Sequence, residues 1–246
     1  MTIIQKVLVV PAFKEYEVLP VFLRELFEYI DDDTQVLVAD DSPQEEWGNV
    51  TRACELAVGN KNGQLSFTFS GSRSGRGGAV RRAFEKAIIE FPAATRFLEC
   101  DADGSHRPVD VIRLLRSENV TNVIIGSRYL KESEIIGWPI SRRVFSRILN
   151  ILIPRLWNFK VKDVTNGLRS YDVLSVRTIL AKEQQNVGFI YLTEQMIHLK
   201  KAGLSISELP ICFVNRTIGK STVGYSEVLN SLIGLSSLFL SRKSRH

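Results

Sequence analysis

The chain reads as an α/β protein with a mostly parallel central sheet flanked by helices. Short, continuous apolar runs alternate with longer segments whose apolar residues recur at helical spacing through the first half. That is the pattern of strands joined by crossover helices. The first runs, residues 6–10 (KVLVV) and 35–39 (QVLVA), are apolar at nearly every position rather than every second one, as strands covered on both faces require. Each run also ends in polar residues, which in such a sheet gather along one crevice at the C-terminal strand ends.

Residues 6–10 form the first expected strand, closed by Pro11. Val18, Leu19, Phe22, Leu23, Leu26 and Phe27 lie at helical spacing, so a helix is predicted over 15–30. The second strand, 35–39, runs into Asp40, Asp41, Ser42 and Pro43, and a second helix covers 47–58. Leu65, Phe67 and Phe69 alternate as in a third strand, followed by a glycine-rich loop at 70–78 (SGSRSGRGG) and a helix over 79–91 that Pro92 closes. A fourth strand is expected at 96–100, a helix at 109–116 and a fifth strand at 122–126.

In the second half, residues 137–159 combine apolar bulk, two tryptophans and four arginines, and the helix predicted there is interrupted at Pro154. Its pattern fits either an interfacial amphipathic helix or a core helix with a basic rim. A turn into a strand follows at 163–171, a helix at 191–201 stopped by Gly203, an alternating strand at 204–213 and a basic loop at 216–222. An apolar, serine-rich helix at 228–240 and a basic tail end the chain. One domain is expected over 1–222, with 223–246 as a C-terminal appendage.

Composition narrows the function. At 246 residues and 44% hydrophobic, the chain can build one large core. A net charge of +5 favours anionic partners. Cys54, Cys100 and Cys212 show no CxxC spacing, which argues for reduced thiols in a cytosolic protein and against a structural zinc site. Because the first strand begins at once, no signal peptide is expected. No uninterrupted apolar run approaches the ~18 residues that a membrane-spanning helix needs. A nucleic-acid module is disfavoured, since the basic residues are spread and the aromatic residues sit at core spacing.

The chemistry converges on FLECDADGSHRP, residues 97–108. Asp101 and Asp103 are one residue apart, so in an extended segment their carboxylates point the same way. Two carboxylates that close repel unless a cation lies between them. Hard oxygen ligands suit Mg²⁺ or Mn²⁺, whose shell substrate phosphates usually complete. On the residues alone, Asp103 or Ser105 could instead cap the helix after Pro108. The glycines at 75–78 match neither a P-loop nor a dinucleotide fingerprint, and by themselves fit a surface turn.

Taken in order, these segments resemble the GT-A fold, family-2 inverting glycosyltransferases, and within them the dolichol- and polyprenol-phosphate mannose synthases. The likeness covers about residues 6 to 230. Pro11-Ala12-Phe13-Lys14-Glu15 is similar to that family's Pro-x-Tyr-Asn-Glu, Asp40-Asp41-Ser42-Pro43 to its Asp-Asp-x-Ser, Gly75-Arg76-Gly77-Gly78-Ala79 to its Gly-Leu-Gly-x-Ala, and Asp101-Ala102-Asp103 to its metal motif. Gly126-Ser127-Arg128-Tyr129 and Gly137-Trp138-Pro139 with Arg142, Arg143 and Ser146 resemble the polyprenol-phosphate branch, as do 163–171 and 213–221. Phe13 stands for the usual tyrosine, Lys14 for asparagine and Ser105 for a glutamine ligand, while Lys220 is displaced by two positions.

The resemblance implies transfer, with inversion, of a sugar from a sugar nucleotide to a polyprenol monophosphate. Mannose from GDP-mannose is the favoured donor and a UDP-sugar the alternative. Pro11, Phe13, Glu15, Asp40, Asp41, Gly75, Gly77, Asp101 and Ala102 would hold the donor nucleotide. Asp101, Asp103 and Ser105 would bind Mg²⁺ or Mn²⁺, and Arg128, Arg142 and Ser146 the acceptor phosphate. Asp103, Arg128, Arg216 and Lys220 would carry the catalysis. The rival is transfer to a sugar hydroxyl of a glycan or glycolipid, which needs a base. Relatives of that type often carry Glu-Asp at the acceptor helix, where this chain has Glu194-Gln195. A prenyl acceptor also implies a cytoplasmic protein held peripherally at the membrane by helices 138–159 and 228–240, without nucleic acid as a partner.

Overall fold

A computed structural model describes residues 2–118, 120–186, 188 and 190–216. Lys220, the helix expected at 228–240 and the basic tail lie outside the described residues.

The strand β1 (Lys6–Ala12) pairs in parallel with β2 (Thr34–Asp40) on one side and β4 (Arg96–Glu99) on the other. β3 (Leu65–Phe69) extends the sheet beyond β2. Past β4 come β7 (Arg169–Asp172), β5 (Val123–Ser127) and β8 (Ile206–Pro210), giving the seven-stranded order β3-β2-β1-β4-β7-β5-β8. Among the described residues only β7 runs antiparallel to its neighbours, so the sheet is mostly parallel, as expected. Two short strands, β6 (Glu134–Ile136) and β9 (Cys212–Val214), pair in a separate ribbon.

The continuous apolar runs are explained by the sheet's two covered faces. Leu8 and Val10 of β1, with Val36 and Val38 of β2, face one core. Helices α1 (Val18–Phe27), α2 (Trp47–Val58) and α4 (Pro108–Leu115) close it with Phe22, Leu26, Cys54 and Leu114. Val7, Val9, Leu37 and Ala39 face the other, under α3 (Gly75–Glu90), α6 (Val173–Leu180) and α7 (Tyr191–Lys201), which bring Val80, Phe84, Val176 and Met196. Ile153 of α5 (Ile140–Trp157) joins this second core. Strand order reverses between β1 and β4, and the crevice at such a reversal is where open α/β sheets bind ligands.

Several expectations change. The glycine-rich segment is not a loop through residue 78, because α3 starts at Gly75. Gly77 lets that first turn approach α7, since a Cβ there would lie 2.8 Å from Tyr191 Cγ. Helix α5 is not interrupted at Pro154. The proline falls in the last turn, where its carbonyl accepts the Phe159 N–H at 2.9 Å and Asn158 ends the helix in the left-handed conformation. The strand expected at 204–213 breaks at Ile211 into β8 and β9, which belong to different sheets. Three-residue β6 and the helix α6 were not foreseen.

Candidate active site

One cavity of about 710 Å³ lies over the C-terminal ends of β1 and β4. The Asp101–Asp103 segment enters it as a tight turn rather than an extended strand. Gly104, at φ 72°, takes the left-handed conformation that closes the turn. Ser105 N–H donates to Asp103 Oδ1 at 3.0 Å, and Asp101 N–H donates to His106 Nδ1 at 3.1 Å. His106 therefore carries its proton on Nε2, which faces Asn166 Oδ1 at 3.0 Å. Both aspartates line the cavity, while Ala102 between them is buried. The capping alternative fails: α4 starts after Arg107 with no side-chain cap.

Each aspartate is met by an arginine. Arg76 Nε reaches Asp101 Oδ1 at 2.8 Å, and Arg216 reaches Asp103 Oδ2 at 2.7 Å and Glu15 Oε1 at 3.6 Å. Burial alone would raise the Asp101 carboxyl, but Arg76, aided by Arg216, outweighs it and holds it down at about 2. Glu15 is raised, chiefly by burial and also by Asp103 and Asp101, against the pull of Arg216.

Of the predicted donor residues, Pro11, Phe13, Glu15, Asp41, Gly75, Asp101 and Ala102 line the cavity. Asp40 and Gly77 do not. Asp40 is buried and accepts from the N–H and Oγ of Ser42 at 2.9 and 2.5 Å, so it shapes the turn after β2. Asp41 instead reaches the wall, taking Ser74 N–H and Oγ at 2.7 Å each and Arg82 at 2.8 Å. The Arg73 guanidinium stacks over the Phe13 ring at 4.4 Å. Lys14, at φ 57°, adopts a left-handed conformation that asparagine takes more readily.

Ser105 is not on the cavity wall. Its Oγ is buried without a hydrogen-bond partner among the described residues. Among the described residues no cluster of three His, Cys, Asp or Glu side chains forms. Four carboxylates, Glu15, Asp41, Asp101 and Asp103, face the cavity, and of the three predicted metal ligands Asp101 and Asp103 are among them. That pair fits Mg²⁺ or Mn²⁺ sharing its shell with phosphate oxygens and water.

The predicted acceptor residues Arg128, Arg142 and Ser146 all line the same cavity. Arg128 is buried, and Asp163 takes its Nε and one terminal nitrogen at 2.8 Å each, with Thr165 Oγ1 at 2.7 Å. Ser146 Oγ accepts from Tyr129 OH at 2.7 Å. Arg142 differs from the other wall arginines near the aspartates. Half-buried, it stacks over Trp138 at 4.1 Å and donates to Asn215 Oδ1 at 3.1 Å, with no carboxylate partner among the described residues. Burial, then Arg128 and Arg216, push its pKa down.

Sequence reasoning missed Arg76, Glu99 and Asp163. Glu99 had a signal: a carboxylate inside an apolar strand requires a buried partner.

Comparison with known proteins adds independent information. The profile described as Glycosyl transferase family 2 matches residues 7–180. An undecaprenyl-phosphate mannosyltransferase of Micrococcus luteus is 27% identical over 231 residues, spanning 93% of this chain and 91% of its own. A polyprenol monophosphomannose synthase of Mycolicibacterium smegmatis is 26% identical over 225 residues, 91% of this chain and 83% of its own. Glucosyl-3-phosphoglycerate synthase of Mycobacterium tuberculosis, solved with Mn²⁺, UDP and phosphoglyceric acid, superposes with a TM-score of 0.62 at 15% identity, over 96% of this chain and 78% of that one. A Pyrobaculum calidifontis mannosyltransferase, solved with GDP-Man and Mn²⁺, gives 0.61 at 16% identity, over 98% and 64%. At those identities the two solved structures speak for the fold alone.

Proposed function

This chain belongs to glycosyl transferase family 2, and we propose that it moves a mannosyl group from a nucleoside-diphosphate sugar to the phosphate of a polyprenol monophosphate, with inversion. The names of the two curated relatives support that acceptor and that sugar. The observation that carries the reading is the charge layout of one cavity: a carboxylate pair at the end of β4 and, on the same cavity wall, an arginine with no ion-pair partner among the described residues.

Asp101 and Asp103 would hold a divalent cation, which when bound supplies Lewis-acid stabilisation to the departing diphosphate. Phe13, Glu15 and Asp41 would line the donor side, and Arg216, paired with Asp103 on the same wall, would meet the diphosphate. Arg142 and the Ser146 hydroxyl would orient the acceptor phosphate, a task suited to a planar guanidinium. Arg128, locked on Asp163, shapes that pocket and adds positive potential.

A phosphate monoester is largely dianionic at neutral pH and attacks without a base. Consistent with this, the acceptor helix offers none. Glu194 is buried off the cavity wall, accepting the backbone N–H groups of Gln185 and Asn186 at 2.8 and 2.9 Å. Burial raises its carboxyl, but His198 and those loop donors outweigh it and leave it below its ordinary value. Gln195 is likewise buried off the wall.

Helix α5 supports peripheral membrane contact. Its inner face buries Ser146, Asn150 and Ile153, whereas Ile140, Val144, Ile148 and Leu152 are exposed, Ile140 by 81%. Apolar residues pointing outward between Arg143, Arg147 and Arg155 suit a helix lying in a lipid interface. Among the described residues no helix is long and apolar enough to cross a membrane.

The test supplies Mn²⁺ with radiolabelled GDP-mannose or UDP-glucose, and offers a polyprenol phosphate, the free prenol, or a soluble oligosaccharide. Label should enter the organic phase only with the phosphorylated prenol. Equal transfer to the oligosaccharide hydroxyls would overturn the reading.

A further inference from the structure

The side chain of Arg76, in the first turn of α3, leaves the helix surface for the end of β4. Its Nε meets Asp101 Oδ1 at 2.8 Å, one terminal nitrogen meets Glu99 Oε2 at 2.8 Å, and the other donates to the Gly167 carbonyl at 3.1 Å. Gly167 makes room for it, since a Cβ there would lie 2.4 Å from that nitrogen. Glu99 is fully buried and accepts from Tyr171 OH at 2.7 Å and Tyr191 OH at 2.5 Å. The guanidinium therefore bridges a buried, fixed carboxylate and a carboxylate on the cavity wall.

We infer that Arg76, anchored by Glu99, is a positioning residue that fixes Asp101 for the divalent cation. The inference rests on the metal reading proposed above. Burying an ion pair is poor value for stability, because apolar side chains of similar volume would serve as well or better. What the pair gives is direction. Arg76 claims Asp101 Oδ1, and Oδ2 is left with no hydrogen-bond donor among the described residues. Arg76 and Glu99 together are also net neutral, so they orient Asp101 while leaving its charge in the cavity's balance. Partners that orient metal-binding side chains typically matter 10- to 100-fold in metal affinity.

The experiment measures Mn²⁺ binding in the presence of GDP, from the free-Mn²⁺ electron paramagnetic resonance signal, with UDP substituted if GDP does not bind. Arg76→Leu/Glu99→Gln removes both charges and leaves the two tyrosine hydroxyls an acceptor. It should weaken Mn²⁺ by about 10- to 100-fold. Added to Asp101→Asn it should cost little more, because its effect runs through that carboxylate. Arg76→Lys keeps the charge but cannot bridge the two carboxylates with a fork. It should weaken Mn²⁺ severalfold, and it decides the matter if the double variant does not fold. Wild-type Mn²⁺ affinity in the folded variants, with Asp101→Asn defective, would overturn the inference and leave the metal reading standing. An Arg76→Leu/Glu99→Gln effect that adds in full to that of Asp101→Asn would also overturn it. No Mn²⁺ binding by the wild type would overturn both.

Discussion

Replacing Arg142 by alanine should separate acceptor from donor. The guanidinium is half-buried, stacked on Trp138 at 4.1 Å, and its hydrogen-bond partner is the neutral Asn215 side chain. Burial and the charges of Arg128 and Arg216 outweigh the attraction of Asp103 and Asp101, so removing the guanidinium relieves a net penalty and breaks no ion pair among the described residues. Alanine also suits the first turns of α5. The fold should therefore change by no more than ~1 kcal/mol. Toward a phosphate the same surroundings act in reverse: an anion would gain a charge-assisted hydrogen bond worth about 1.5–3 kcal/mol, or roughly 10- to 100-fold in affinity. Steady-state kinetics with a polyprenol phosphate should show that loss in the acceptor's KM or in kcat, while calorimetry gives unchanged sugar-nucleotide binding. Arg142→Lys, with charge but no fork or stacking plane, should fall between. A variant that loses donor affinity and keeps normal acceptor kinetics would refute the division of the cavity.

Asp103→Asn should abolish most metal-dependent donor binding while leaving the melting curve intact, and unchanged nucleotide affinity by calorimetry with Mn²⁺ present would count against the metal assignment. Asp163→Ala should destabilise the protein by about 3–5 kcal/mol in urea, because it strands the buried Arg128 charge. Burial pushes the Asp163 carboxyl up, but Arg128 and the backbone donors outweigh it, so its folded pKa lies below the ordinary 3.8. That contribution is present above pH ~4 and lost as pH falls through the depressed value, and Asp163→Asn should flatten the acid limb of the stability curve. For the membrane, co-sedimentation with anionic vesicles should exceed that with neutral ones and weaken with salt. Arg143→Glu with Arg147→Glu should cut it by tenfold or more, at on the order of 1 kcal/mol per basic residue; no binding to either vesicle type by a folded protein would refute the interfacial role of α5.

The sequence revealed what depends on local pattern and lost what depends on partners. Residues 6–10 and 35–39 were recognisable as strands because burial on both faces leaves no polar position between the apolar ones. The bounds expected for α2 and α7, 47–58 and 191–201, match those of the structure. Short β6 has too few residues to carry a period and gains its pairing only from β9, nearly eighty positions away. Asp40 and Asp41 look interchangeable in sequence. The first turns under Ser42 and the second faces the cavity, a difference set by which side of the strand end each occupies.

The same limit governs the charges of the site. Arg128 and Arg142 both read as phosphate ligands, yet Asp163 takes the fork of one and no described carboxylate meets the other. An arginine on a cavity wall is available to an anionic ligand to the extent that the fold has not already neutralised it, and that neutralisation comes from residues 35 positions away for Arg128 and 23 for Arg76. Buried charges are where sequence could have signalled more. Glu99 stands in an apolar strand and Asp163 heads the segment leading into β7, and each had to find a cation because an unpaired carboxylate cannot stay ionised at such depth. Pairing the buried acids first, and only then asking which arginines remain among the described residues, leaves Arg142 as a cation facing the acceptor side of the cavity.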